Sequence, residues 1–168
     1  MQVLKQLLAN DRIQKVWNNA QIPVFCLLPG GADTCARRVL LVRLPPDAGT
    51  RVWLRAGRVR NPQWQPDAGA WRLPVSWLDS VIEQSLEDLG AAYFIHMYKP
   101  EQRCTHSCQT ARRLECECSC LGAYHRIAWK ELQTYGTTEG FKVPLVELAF
   151  ACRKLVHLAS GDRMAVNL

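Results

Sequence analysis

From Cys104 to His125 the chain reads Cys-Thr-His-Ser-Cys-Gln-Thr-Ala-Arg-Arg-Leu-Glu-Cys-Glu-Cys-Ser-Cys-Leu-Gly-Ala-Tyr-His. These twenty-two residues hold five of the eight cysteines and two of the four histidines. That density is what a metal site requires. Zinc takes four thiolate or imidazole donors in a tetrahedron. Cys104 and Cys108 are four apart, so one helical turn or a tight loop aims both at one point. Cys116, Cys118 and Cys120 alternate with Glu117 and Ser119, and in an extended segment their sulfurs would share a side. Gly122 allows the positive φ that ligand loops often use, and His125 follows as a nitrogen donor. Cys104 and Cys108 form the first pair. The second comes from Cys116, Cys118, Cys120 and His125, and spacing does not choose between them. The reading is structural zinc ahead of an iron–sulfur cluster, with a disulfide or redox pairing as the alternative.

Known catalytic metal patterns do not fit. A nucleobase deaminase needs His-x-Glu and a later Pro-Cys-x-x-Cys, but His96 precedes Met97-Tyr98 and no Cys-x-x-Cys occurs. A SWIM-type finger places Cys-x-Cys before Cys-x-His, the reverse of Cys104-Thr-His106 and Cys116-Glu-Cys118. His-Glu-x-x-His, a phosphate-binding loop and Gly-x-Ser-x-Gly are also missing. An open catalytic zinc would need a general base, for which Glu115 or Glu117 would serve. Thiolate-rich sites are usually closed, so binding is expected rather than catalysis.

The 168 residues carry a net charge of +6, with fifteen Arg against six Lys. Arg offers a planar fork suited to phosphates and base edges. Between Arg37 and Arg60 there are seven arginines and one acid, Asp47. Strict alternation in Arg51-Val-Trp-Leu-Arg55 predicts a strand with Arg51, Trp53 and Arg55 on one face. Arg58 and Arg60 would return on the next strand of a hairpin. Such a face can clamp phosphates and stack a base, and Arg112 and Arg113 would extend it from the cysteine loop. The competing reading has Trp53 packed on another element and the arginines merely solvated.

The elements that must position these groups read as α+β. Residues 2–18 predict an amphipathic helix, which Asn10-Asp11 would split if one of them caps a second turn. Ile22–Leu28, Arg38–Leu44 and Ala92–Tyr98 are strand candidates. Asn61–Pro74, with three prolines and two tryptophans, reads as an ordered loop. A helix follows Pro74, with Trp77, Leu78, Val81, Ile82, Leu86 and Leu89 inward and Gly90 as its stop. Its outer side carries Asp79, Glu83, Glu87 and Asp88: a solvated face, a protein-docking surface, or an internal counter-pole to the arginines. Ile127–Tyr135 reads as a strand or short helix, and Pro144–Ala159 as a final helix. Cys26 and Cys152 fall on apolar faces as small core residues.

The expectation is one domain over 1–168: a mostly antiparallel sheet with about three helices, and residues 100–126 as a zinc-pinned, cysteine-rich insertion. The start of the chain is not a secretory signal. No apolar run approaches the roughly 18–20 residues that span a bilayer. Together these imply a cytoplasmic protein with reduced thiols and no membrane partner. The expected function is non-catalytic nucleic-acid binding, DNA or RNA. The first alternative is a protein-interaction adaptor, or an inhibitor of a nucleic-acid-processing complex, docking through the acidic helix at 75–89. The second is a metal-dependent hydrolase or nuclease.

Overall fold

The structure, a computed structural model, describes residues 2–30, 38–46, 50–55, 58–110, 114, 117–119, 135–145 and 148–157. In chain order the elements are α1 (Gln2–Leu8), α2 (Asp11–Trp17), β1 (Val24–Leu28), β2 (Val39–Arg43), α3 (Thr50–Arg55), β3 (Gln63–Gln65), β4 (Ala70–Leu73), α4 (Leu78–Leu89), β5 (Ala91–Tyr98), α5 (His106–Gln109), β6 (Tyr135–Pro144) and β7 (Ala149–His157). The strands form one mixed sheet in the order β3-β4-β2-β1-β5-β7-β6. β1 and β5 run parallel, and the other pairs are antiparallel. The α+β class stands as expected, with a sheet that is mostly but not wholly antiparallel.

β1 is buried at every residue, because helices cover both faces of the sheet. Val24, Cys26 and Leu28 point to one side, where they pack with Ile95 and Cys152 under Leu4, Leu7, Ile13 and Trp17 of α1 and α2. Phe25 and Leu27 point to the other, with Phe94 and Leu155 under Leu54 of α3 and Leu78, Val81, Ile82 and Leu86 of α4. An unbroken apolar run is the mark of such a doubly covered strand. Each of these side chains contributes about 1.5–3 kcal/mol on full burial. The sheet therefore presents a rigid floor to whatever packs above it.

Residues 2–18 divide at Asn10. Its Oδ1 accepts from the N–H groups of Arg12 (3.1 Å) and Ile13 (3.3 Å), so it caps α2. Residues 61–74, expected to be a loop, contain the β3–β4 hairpin, turned by a 3₁₀ segment over Pro66–Ala68 and by Gly69 at φ 56°. After Pro74 another 3₁₀ turn leads into α4, which ends at Gly90 as anticipated. Leu89, placed inward by the sequence pattern, is instead solvent-facing.

Two expected elements are overturned. Arg51–Arg55 is helical, not a strand. A strand would put Val52 and Leu54 on one face, yet Val52 is 82% exposed and Leu54 fully buried. Only a helical turn separates them so. Five alternating residues are too few to distinguish the two periods when just one side chain is anchored. The segment 144–159 is not a helix, because β7 occupies Ala149–His157. Its apolar positions fit a helical face by coincidence. Phe150, Ala151, Cys152 and Arg153 are all buried in succession, since β7 lies between β5 and β6 with both faces covered. Leu145 N–H donates to Leu148 C=O (2.7 Å) between β6 and β7. The expected strand or helix at 127–135 lies outside the described residues, apart from Tyr135 at the start of β6.

Gly90 has φ 78°, with open space where a Cβ would go, so a side chain there meets conformational strain alone. Gly90→Ala is expected to lower the unfolding free energy by roughly 1–2 kcal/mol. Asn10→Ala should lower it by about 1 kcal/mol. Both should appear as shifted urea midpoints with an unchanged slope.

Candidate metal centre

β5 delivers the chain from the sheet into the cysteine-rich stretch. Residues 99–102 turn, with Gln102 N–H on Lys99 C=O (3.1 Å), and residues 117–119 return beside them. Lys99 N–H donates to Glu117 C=O (2.6 Å), and Ser119 N–H donates to Gln102 C=O (2.9 Å). This pairing fixes Cys118. Between the two segments the short helix α5 begins after Thr105, whose carbonyl accepts from Cys108 N–H (3.0 Å). One turn then brings Cys108 onto the same side as Cys104, as their spacing predicts.

The three thiols converge. The sulfurs of Cys104, Cys108 and Cys118 all lie within 4.8 Å of one another, with Cys108 Sγ and Cys118 Sγ at 3.5 Å. Tetrahedral zinc–thiolate bonds of about 2.3 Å put neighbouring sulfurs about 3.8 Å apart, so this spacing suits a single ion. Three thiolates this close repel unless a cation stands among them. Cys118 is buried, while Cys104 and Cys108 are half-buried. Among the described residues, Cys118 of the second group stands with Cys104 and Cys108. Cys116, Cys120 and His125 lie outside the described residues, as does Cys35. His106 is exposed on α5 and does not belong to the triad.

The stretch is tied to the core at Leu114. This side chain is buried among the residues under α4. Its N–H donates to Asp79 Oδ1 (2.9 Å), and its C=O accepts from Arg153 Nη2 (3.3 Å). Arg153 is itself buried on β7, its guanidinium 5.5 Å from the centre of the Phe94 ring. His96 also stacks with that ring (4.7 Å between centroids), with Nδ1 3.1 Å from Met97 C=O. Sequence reasoning missed Leu114 and Arg153. The available signals were an apolar residue in a polar loop and a pair of charges, Arg153-Lys154, in an otherwise largely apolar strand, of which alternation turns one inward.

Glu117, considered as a general base, reaches Lys99 (3.3 Å) and Arg38 (3.8 Å) from an exposed position. Its geometry is that of a surface ion pair, worth little by itself. Glu115 lies outside the described residues.

The arginine-rich region divides in two. Trp53 Nε1 donates to Asp88 Oδ2 (2.7 Å), and Arg58 bonds Gln84 Oε1 (3.1 Å) and Ser80 Oγ (3.2 Å) beside the Trp77 ring. These two side chains hold α3 against α4. Arg51, Arg55 and Arg60 face solvent, whereas Arg112 and Arg113 lie outside the described residues. Asp79 and Asp88 of the acidic helix therefore accept hydrogen bonds from Leu114 and Trp53, and Asp88 does so from an exposed position.

Cys26 and Cys152 are core thiols, as expected. They flank Ile95 in one row across β1, β5 and β7. Burial pushes Cys152 up to about 12, with Glu139 adding to the rise and Arg12 and Arg153 opposing it. Cys26 is raised further, by burial and then by Cys152.

Among the described residues no helix is long and apolar enough to cross a membrane. Comparison of the chain with protein families, curated proteins and solved structures returns no match.

Alkylation depends on the thiolate, which at about pH 8 is roughly one part in ten thousand of a thiol with a pKa near 12. With chelator present, iodoacetamide should modify Cys104 and Cys108 before Cys26 and Cys152, which stay untouched until the chain unfolds. Peptide mapping reads the order. Labelling of Cys152 ahead of Cys104 would contradict this packing.

Proposed function

We propose that the chain is a zinc-stabilised nucleic-acid-binding module with no catalytic step of its own. The observation that carries this reading is the convergence of Cys104, Cys108 and Cys118 at tetrahedral-edge spacing. A thiolate-rich centre suits structural zinc, which brings no redox chemistry and tolerates a closed shell. One of Cys116, Cys120 and His125 would complete the tetrahedron. Zinc at this point would hold residues 99–119 together, in a stretch where Leu114 is, among the described residues, the one buried in the core under α4.

The nucleic-acid part is supported by the net charge of +6, the arginine excess and the exposure of Arg51, Arg55 and Arg60 on and after α3. Trp53 and Arg58 serve this surface indirectly, by fixing α3 to α4. Phosphate contacts release counterions on binding, which gives the reading a measurable signature.

Elemental analysis after anaerobic purification without chelator should find zinc at one equivalent per chain and no visible absorbance. Iron with broad visible absorption would replace zinc by a cluster. Cys104→Ser, Cys108→Ser and Cys118→Ser should each lower the zinc content, and the same assay on Cys116→Ser, Cys120→Ser and His125→Ala would identify the fourth donor.

With three arginines on phosphates, nucleic-acid affinity should fall about 20- to 40-fold between about 50 and 200 mM salt. Arg51→Ala/Arg55→Ala/Arg60→Ala should flatten that dependence while keeping the zinc. A zinc-loaded protein that binds neither DNA nor RNA at low salt would overturn the nucleic-acid reading and leave the metal centre standing.

A further inference from the structure

We propose that Trp64 is a base-stacking residue and that the nucleic acid this chain takes is single-stranded. The inference rests on the nucleic-acid reading above and deepens it.

Trp64 sits on β3, an edge strand of the sheet, and is 49% exposed. Its ring meets Trp71 of β4 edge-on, with centroids 5.2 Å apart and planes at 64°. Trp71 opposes Val42 in the β2–β4 register and packs in the same apolar cluster as Trp53 and Leu54 of α3. A large ring left half in solvent, yet fixed in orientation by a second ring, is a pre-formed platform. Little side-chain entropy remains to be lost when something stacks on it.

The surroundings state the chemistry of the occupant. Arg60 precedes β3 by three residues, a reach of about 10 Å at most. Arg51 and Arg55 face solvent on α3, which covers the sheet face on which Trp71 packs. Val52 and Val59 are 82% and 95% exposed, and Gln63 and Gln65 flank the ring on its strand. No acidic residue occurs from Thr50 to Gln65. Cationic forks beside an exposed aromatic face fit phosphates alternating with accessible bases. A duplex offers the phosphates but keeps its base faces stacked inside. Trp53 cannot take this part without giving up its bond to Asp88.

The test uses the full zinc-loaded chain, a labelled oligothymidylate of about 16 nucleotides and a duplex of equal length. Trp64→Ala should weaken oligothymidylate binding about tenfold and duplex binding less than about twofold, with Trp64→Phe close to the parent. Should Trp64→Ala lose zinc or stability, Trp64→Leu against Trp64→Phe asks the same question, because leucine keeps apolar bulk but offers no π face. If the arginine triple variant weakens binding while no Trp64 variant does, the stacking role fails and the nucleic-acid reading survives. If the parent binds neither probe, both fail.

Discussion

Helix α4 is the body on which the outer side of this molecule depends. At 100° per residue it presents three separate stripes. Leu78, Val81, Ile82 and Leu86 face the sheet and are buried against Phe25, Phe94 and Leu155. Trp77, Ser80, Gln84 and Asp88 grip α3 and the turn after it, through Arg58 and Trp53. Asp79 holds the backbone N–H of Leu114. One helix thus contacts both the arginine-bearing segment and, at Leu114, the cysteine stretch.

The cysteine cluster, which could hold a metal ion, is built differently from the core beside it. Cys26 and Cys152 are stabilised by burial alone and remain protonated, which suits a packed interior. Cys104, Cys108 and Cys118 gather at the end of β5, in a cluster whose described members are all cysteines. So small a patch returns little hydrophobic free energy by itself. A metal ion there would add bonds that couple the cluster to folding. Leu114 and Arg153 then connect the centre to the sheet, with the arginine's charge answered in part by a backbone carbonyl.

The distribution of charge follows the same architecture. The acids of α4 are not a uniform outer coat, because Asp79 and Asp88 accept hydrogen bonds from elements on opposite sides of the helix. Of the arginines near α3, Arg58 turns inward over Trp77 while Arg51, Arg55 and Arg60 stay in water. Aromatic rings divide likewise. Trp53 is tied to α4 by its N–H, and Trp64 keeps a face open at the edge of the sheet. Residues of one type within fifteen positions thus do unlike work.

The features legible in the sequence are those set by local spacing. Cys104 and Cys108 needed one turn to converge, Asn10 needed only the N–H groups two and three residues on, and Gly90 marked a positive φ. β1 and β5 were readable because their apolar runs are continuous. The α+β class followed from these pieces. What failed were short or fully buried segments. Arg51–Arg55 alternates yet coils, since only Leu54 has a core to enter, and 149–157 mimics a helical face because a strand covered on both sides shows no period. The place of Cys118 beside Cys104 and Cys108 was set by backbone pairing between 99–102 and 117–119, and the roles of Leu114, Arg153 and Asp79 by contacts across 35 to 39 residues. Spacing along a chain encodes neighbours within a turn or a pleat. Which distant segments meet depends on how the two faces of the sheet are filled, and that is settled only when the whole core packs.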